Sequence, residues 1–433
     1  MESEAILMTL KREPAQLVSF VDQYCSFFQD LFADDVRNYE CFKYLHLGLI
    51  SELPRKSLPA IARAVGLEDG QPLHHFIAQA RWDVTDFRAR RLERIKKVLY
   101  GRTIILCIDE TGDRKKGETT DYVARQYIGN LGKIDNGIVS VNAYAVVDGI
   151  TFPLLFKVYK PKTRLRKGEK YKTKPELAVE IIGELKQLGI KFSVVLADSL
   201  YGESSDFIGG LAEFKLKYVL AIRSDHGMWM PAEQKIWSTA WKEFDRLFFN
   251  GEKELRYITE VVYGVRRDVR YYLITTDKEK RPADSTWFVM TNLEGNIVKQ
   301  IGNTYGMRTW IEYGFKQCKD ELGWADYRLT DYASIERWWE IVSSVYLMVS
   351  LQTETFKDKR ISKAAGQSKY REHKWWGSGK GWKNVLNNLR LIIQPFIYLC
   401  LITPWLEVFT VEGLREGFLT LITFMNGYRG FYP

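Results

Sequence analysis

Tyr305, Arg308, Glu312 and Lys319 are side chains whose types and spacing could do chemistry together. The last three stand three, seven and fourteen positions after the tyrosine. On one unbroken α-helix at 3.6 residues per turn they would share a face within an arc of about 60°. A phenol, a guanidinium, a carboxylate and an ammonium on one face suit a helix that brings a metal-binding carboxylate to a phosphodiester and surrounds it with phosphate contacts. The competing reading is the solvated face of a surface helix, where such residues usually lie.

Two upstream carboxylates favour the first reading. The run TIILCI at 103–108 reads as a strand buried on both faces, and it ends in Asp109. The run FSVVLA at 192–197 reads likewise and ends in Asp198. The C-terminal end of a central strand is where α/β sheets bind ligands. Asp109, Asp198 and Glu312 are three hard oxygen donors with no His or Cys cluster beside them, a set that suits Mg²⁺ or Mn²⁺. Two such ions can clamp the attacking and leaving oxygens of an in-line phosphoryl transfer. Glu110 is a poorer third ligand, because adjacent strand residues point to opposite faces. Glu321, nine positions past Glu312, falls about 180° round the helix.

The pattern Asp109-x-Thr111, then Asp198 after a strand, then Tyr305-x2-Arg308-x3-Glu312-x6-Lys319 resembles the DDE transposases of bacterial insertion sequences, and among them the branch with the YREK signature. The resemblance spans roughly residues 102–331. It implies that Asp109, Asp198 and Glu312 are catalytic and hold two Mg²⁺ ions, with Mn²⁺ able to substitute. It also implies that Tyr305, Arg308 and Lys319 contact DNA phosphates. Trp287 precedes the glutamate as a tryptophan does in related transposases, where the indole stacks on a base flipped out near the cut end. The implied partners are double-stranded DNA, as terminal inverted repeats and as target, and a second copy of the chain in a homodimeric synaptic complex. The implied reaction is cleavage of the element ends and joining of their 3′ ends to target DNA. Two alternatives stay open: an RNase H-like DNA nuclease, and a transposase-derived DNA-binding protein without activity.

The elements that must position these groups form an expected α/β (α+β) fold. It is an RNase H-like mixed sheet flanked by helices, with a β-strand insertion and an N-terminal all-α DNA-binding domain. Residues 1–100 read as helical. Within them, Ser57 caps one short helix, 66–70 turn, and 71–82 form a second, in the manner of a helix-turn-helix. The next helix carries Arg88, Arg90, Arg91, Arg94, Lys96 and Lys97, facing DNA or solvent. Residues 101–225 hold the first part of the catalytic fold: three strands, helix, strand, helix, strand. Residues 226–285 alternate as a β-rich insertion. Residues 286–352 bring the glutamate-bearing helix and an apolar helix at 336–351 that packs on the sheet. Residues 353–433 form a C-terminal helical and basic region. The densest basic segment, 157–174, is opposed within itself only by Glu169; its Lys162, Arg164, Arg166 and Lys167 are candidate phosphate contacts, or a solvated loop.

Composition agrees with a globular protein of two to four domains: 433 residues, 46% hydrophobic and 27% charged. A net charge of +9 favours a polyanionic partner. The five cysteines are scattered and show no Cys-x-x-Cys spacing, so neither a disulfide framework nor a zinc site is expected, and a reducing cytoplasm is, which the resemblance makes a bacterial one. The acidic start does not read as a signal peptide. The apolar stretch 391–409 is broken by Gln394, Pro395, Pro404 and Glu407, so no membrane span is expected.

Overall fold

The computed structural model describes residues 12–32, 35–148, 150–228, 230–248, 252–353, 356 and 381–428. The chain clusters into two compact units, Met1–Ile95 with Gln317–Pro433, and Lys96–Lys316. Residues 317–352, expected to belong with the catalytic fold, thus cluster with the N-terminal helices. Most of the basic and aromatic stretch 356–383 lies outside the described residues.

The first unit is helical. It holds α1 (Ser19–Ser26), α2 (Val36–Ile50), α3 (Leu58–Ala64), α4 (Gln71–Ala78) and the start of α5 (Val84–Leu99). Its core is the helix Tyr332–Leu351, buried without interruption from Trp338 to Ser350. A helix that is apolar all round belongs inside its unit. It packs against α2, α4 and the helix Trp382–Leu406, which corrects the expectation that it packs on the sheet. The basic face of α5 is also reassigned. Glu340 is fully buried, and Arg91 and Arg88 both donate to it, Arg91 Nη2 at 2.9 Å and Arg88 Nε at 2.5 Å. A buried carboxylate without such partners would be strongly destabilising. Arg90 pairs with Asp30 at 2.7 Å. Three of the arginines expected to face DNA or solvent therefore hold helices together.

The second unit is a sheet of eleven strands. They are β1 (Ile104–Arg114), β2 (Ala124–Ile128), β3 (Lys133–Val147), β4 (Ile150–Val158), β5 (Phe192–Ala197), β6 (Tyr218–Ile222), β7 (Ile236–Ser238), β8 (Lys242–Leu247), β9 (Lys253–Tyr263), β10 (Arg270–Thr275) and β11 (Trp287–Thr291). The main order is β2-β3-β1-β5-β6-β11-β10-β9-β7, with β4 on β3 and β8 on β9. The β1–β5 and β5–β6 pairs are parallel and the rest antiparallel. Helix α6 (Lys174–Gln187) covers β3 and β4, starting from a capping box in which Thr173 and Glu176 bond each other's backbone. This is the mixed α/β arrangement of an RNase H-like fold. The strands of the insertion continue the catalytic sheet: β10 pairs with β11, and β11, just past the insertion, pairs with β6. Strand β2 was not foreseen, and β1 runs five residues past Asp109 because its antiparallel partner β3 runs on beside it.

Candidate active site

The site begins at the parallel pair. Cys107 of β1 lies beside Leu196 of β5. Two residues further along each chain stand Asp109 and Asp198, and neighbouring strands run about 4.8 Å apart. Asp109 remains in β1, opposite Asn142 of β3. Asp198 follows the end of β5 and caps α7 (Ser199–Gly202), its Oδ1 accepting the Leu200 N–H at 3.0 Å. Burial pushes the Asp109 carboxyl above the usual carboxylate range; Arg308 opposes the shift, and the charges of Asp198 and Glu110 add to it. Glu110 takes the other sheet face, where Tyr201 Oη and Lys174 Nζ each donate to it at 3.1 Å.

The signature segment is not one helix. After α8 (Ser205–Glu213) and the insertion come α9 (Val298–Gly306) and α10 (Thr309–Lys316), with Met307 and Arg308 in the break. Gln317–Glu321 then winds as a π-helix. Local side-chain bonding accounts for the break: Thr309 Oγ1 donates to Gly306 O at 2.9 Å and accepts from Arg246 Nη2 at 3.1 Å. The arc of about 60° computed for an unbroken helix therefore does not apply.

The break carries Arg308 to the carboxylates. Its Nη1 donates to Asp109 Oδ2 at 3.1 Å and its Nη2 to Glu312 Oε1 at 2.5 Å. Burial works against the charge of this guanidinium, but Tyr305, Asp109, Glu312 and Asp198 outweigh it and push its pKa up. Helix α10 comes close to the sheet because residue 314 is glycine; a Cβ there would fall 2.5 Å from Tyr144 Cε1. Tyr305 is buried, which pushes its hydroxyl up, and its ring meets Trp287 edge-on at 5.2 Å.

The indole of Trp287 is not a bare platform. Arg256 lies 3.8 Å and Arg246 4.8 Å from its ring centroid. A base would have to displace a guanidinium to stack there. Sequence reasoning did not single out these two arginines; the one available signal was the alternation in 242–247 that turns Phe244 and Arg246 inward. Lys319 lies in the π-helical turn, within the helical unit. The structure thus brings Asp109, Asp198, Arg308 and Glu312 into one neighbourhood, with Tyr305 next to Arg308 and Trp287 against Tyr305.

The basic segment is more neutralised than its sequence indicates. Arg164 donates to Thr120 O at 3.0 Å, Arg166 pairs with Asp121, and Lys157 pairs with Glu184 at 2.6 Å. Lys162 lies over the Tyr171 ring at 4.7 Å. Lys162 and Lys167 are exposed and make no ion pair among the described residues.

The donor chemistry of Asp109 and Asp198 fits a divalent cation, whose charge would relieve the desolvation of Asp109. Glu312 is engaged by Arg308, and among the described residues no three His, Cys, Asp or Glu side chains stand as a ready ion cage.

Comparison with known proteins places this geometry in a family. A family model described as DDE superfamily endonuclease matches residues 26–244, a span that includes Asp109 and Asp198 and stops short of Glu312. Nucleases of that superfamily use divalent metals. A relative from Microchaete diplosiphon, described as a probable transposase for insertion sequence element IS701, is 54% identical over 330 residues, which is 76% of this chain and 87% of that protein. The chain belongs to the DDE superfamily of endonucleases, among the transposases of insertion sequences.

Proposed function

We propose that the protein binds the terminal inverted repeats of an insertion sequence, cleaves the element ends and joins the freed 3′ ends to target DNA. One observation carries the reading: Asp109 in β1 and Asp198 just past the end of β5 each lie two residues beyond the parallel pair Cys107–Leu196, and Arg308 links Asp109 to Glu312. Asp109, Asp198 and Glu312 would hold two Mg²⁺ ions, or Mn²⁺ in their place. Such a pair supplies the charge that activates the attacking oxygen and stabilises the leaving one.

The chain's own residues do the positioning. The planar fork of Arg308 suits a bidentate grip on a phosphate, and moving to it frees oxygens of Glu312 and Asp109. Tyr305, packed beside it, limits where the guanidinium can go. Lys319 adds a point charge, and exposed Lys162 and Lys167 add salt-sensitive contacts to the backbone, with lesser ones from Arg164 and Arg166, which are already engaged within the protein. Trp287 receives a displaced base once a guanidinium leaves its face. A homodimer holds the two DNA ends together, in the bacterial cytoplasm.

The test is incubation with labelled terminal-repeat DNA, a target plasmid and Mg²⁺. Specific end cleavage and joined products are expected, and both should vanish in Asp109→Ala and Asp198→Ala while end binding persists. Cleavage without sequence preference or joining would identify the nuclease alternative. Binding that no divalent ion converts to cleavage would identify the non-catalytic one.

A further inference from the structure

The strand registers leave a two-stranded arm beyond the sheet. Strand β3 has two partners in succession on one edge: its residues Ser140–Val147 pair with β4, and Lys133–Gly137 with β2. On the other edge β1 pairs with it only as far as Gly137, opposite Arg114. The hairpin of β2 and the start of β3 therefore runs on past its neighbours, and its turn closes through Gly132 at a φ of 62°. Alternation fixes which side the arm presents. Asp109 lies opposite Asn142, and counting by twos down β3 reaches Asn136 and Ile134, whose partners on β2 are Arg125 and Tyr127. These four residues share the sheet face of Asp109. They stand six to eight positions from its partner along β3, about 20–27 Å at 3.4 Å per residue.

What the arm exposes decides its partner. Tyr127 and Ile134 form a cross-strand pair, 54% and 60% exposed. Arg125 beside them and Lys116 at the foot of the arm are exposed and make no ion pair among the described residues. On the reverse face Arg114 and Lys133 share one carboxylate, Asp135, at 3.1 and 3.8 Å. Asp121 is taken by Arg166, which leaves exposed Glu118 as the remaining acid of residues 114–136. The arm is positive overall and suits a polyanion. Its amides are not available to read base edges: Gln126 Nε2 donates to Gly137 O at 2.8 Å, and Asn136 Nδ2 to Gly117 O at 2.9 Å. What remains is charge for phosphates and an aromatic–aliphatic pair able to wedge a base step. Contacts of that kind depend little on sequence. Terminal repeats must be recognised, whereas target DNA varies, so the target is the duplex that fits.

We infer that the β2–β3 arm holds target DNA, with Arg125 on a phosphate and the Tyr127–Ile134 pair pressed from the minor groove against a base step, which it kinks. The kink lies on the same sheet face as the carboxylates and presents the neighbouring phosphodiester to them. The inference rests on the reading above that the protein joins its ends to a target, and it assigns the surface that grips that target.

The test uses the full chain and two assays. One measures binding and bending of a short repeat-free duplex carrying a fluorophore at each end. The other measures cleavage of terminal-repeat DNA and, separately, joining of pre-cut ends to a target plasmid. The variant Tyr127→Thr with Ile134→Thr keeps strand-forming residues at exposed positions, so its fold persists, checked by circular dichroism. Tyr127→Phe with Ile134→Val is the conservative control. The wild type and the control should bend the duplex; the Thr pair should leave it straight. Arg125→Gln should bind it about tenfold more weakly. In the Thr pair, joining should fall about tenfold or more while end cleavage stays at the wild-type rate, and a target mismatched at one step should restore joining, because that step is cheaper to unstack. A wild type that leaves the duplex straight, or a Thr pair that bends it and joins ends as the wild type does, overturns the assignment. So does end cleavage that falls in step with joining, which would put the end and not the target on the arm. A Thr pair with undiminished bending and joining sinks the arm and spares the transposase reading. A wild type that bends the duplex through the arm yet never cuts an end keeps the arm as a duplex-binding surface and sinks that reading.

Discussion

Arg308 donates at once to Asp109 and Glu312, so the protein satisfies with its own positive charge two carboxylates expected to hold metal. A cation entering there competes with a guanidinium. Arg308→Gln should therefore bind Mn²⁺ about tenfold more tightly than the wild type in the absence of DNA, read by calorimetry, because a neutral side chain no longer occupies the oxygens. The same variant should cleave terminal-repeat DNA about 100-fold more slowly, since the bidentate phosphate grip is gone. Equal Mn²⁺ affinity in the two proteins would show that Arg308 does not guard the site. Asp109 and Asp198 were legible in the sequence because each follows an apolar run, a local signal. The Arg308–Asp109 bond was not, because its partners are 199 positions apart and meet only through the fold. Trp287 was legible as a residue, but the guanidiniums on it come from strands whose pairing no local pattern announces.

At the scale of elements, the site depends on how closely α10 approaches the sheet. Gly314 makes that approach possible, with Tyr144 of β3 directly beneath it. Gly314→Val should cost about 1–3 kcal/mol by overpacking and move Glu312 away from β1. End cleavage should fall with little loss of far-ultraviolet ellipticity, and Tyr144→Ala should restore part of it by reopening space. Failure of that rescue would argue that residue 314 acts otherwise. In the helical unit, α2 is tied to the helix Tyr332–Leu351 by His46, whose Nε2 lies 2.9 Å from Ser344 Oγ. Burial lowers this imidazole to about 4, with the bond to Phe42 O acting the other way. A depressed folded value means that the unfolded chain takes up protons first. His46 therefore contributes stability above its unfolded value of about 6.5 and loses it as pH falls toward 4, by about 2 kcal/mol at pH 5. The melting temperature should drop between pH 7 and pH 5, and less steeply in His46→Gln; parallel profiles would remove His46 as the cause. Most element types along the chain were readable from hydrophobic period; the strands β2, β7 and β8 were not. The break at Met307 and Arg308 was not, because Arg246 of β8 helps to make it through Thr309, from 63 positions away.

At the scale of the whole molecule, the basic excess of the sequence is divided into charge that builds the protein and charge left for a partner. The structure uses Arg88 and Arg91 to neutralise buried Glu340, Arg90 to pair with exposed Asp30, and Arg166 and Lys157 to pair with acidic residues of neighbouring elements. A count of +9 cannot show this, since pairing is set by tertiary neighbours. It is also why the segment 157–174 read as opposed by Glu169 alone, whereas Asp121 and Glu184 oppose it in space. The charge left for DNA there lies on exposed Lys162, Lys167 and Lys170, which make no ion pair among the described residues. Each phosphate neutralised releases about 0.9 counterion in duplex DNA, so Lys162→Ala with Lys167→Ala should reduce the slope of log affinity against log salt by about 2. Arg166→Ala should change that slope by much less, because its charge is already balanced by Asp121. Filter binding to terminal-repeat DNA across a salt series separates the cases. A slope unchanged by the lysine pair, or an equal drop from Arg166→Ala, would mean that free charge in this segment is not what meets the backbone.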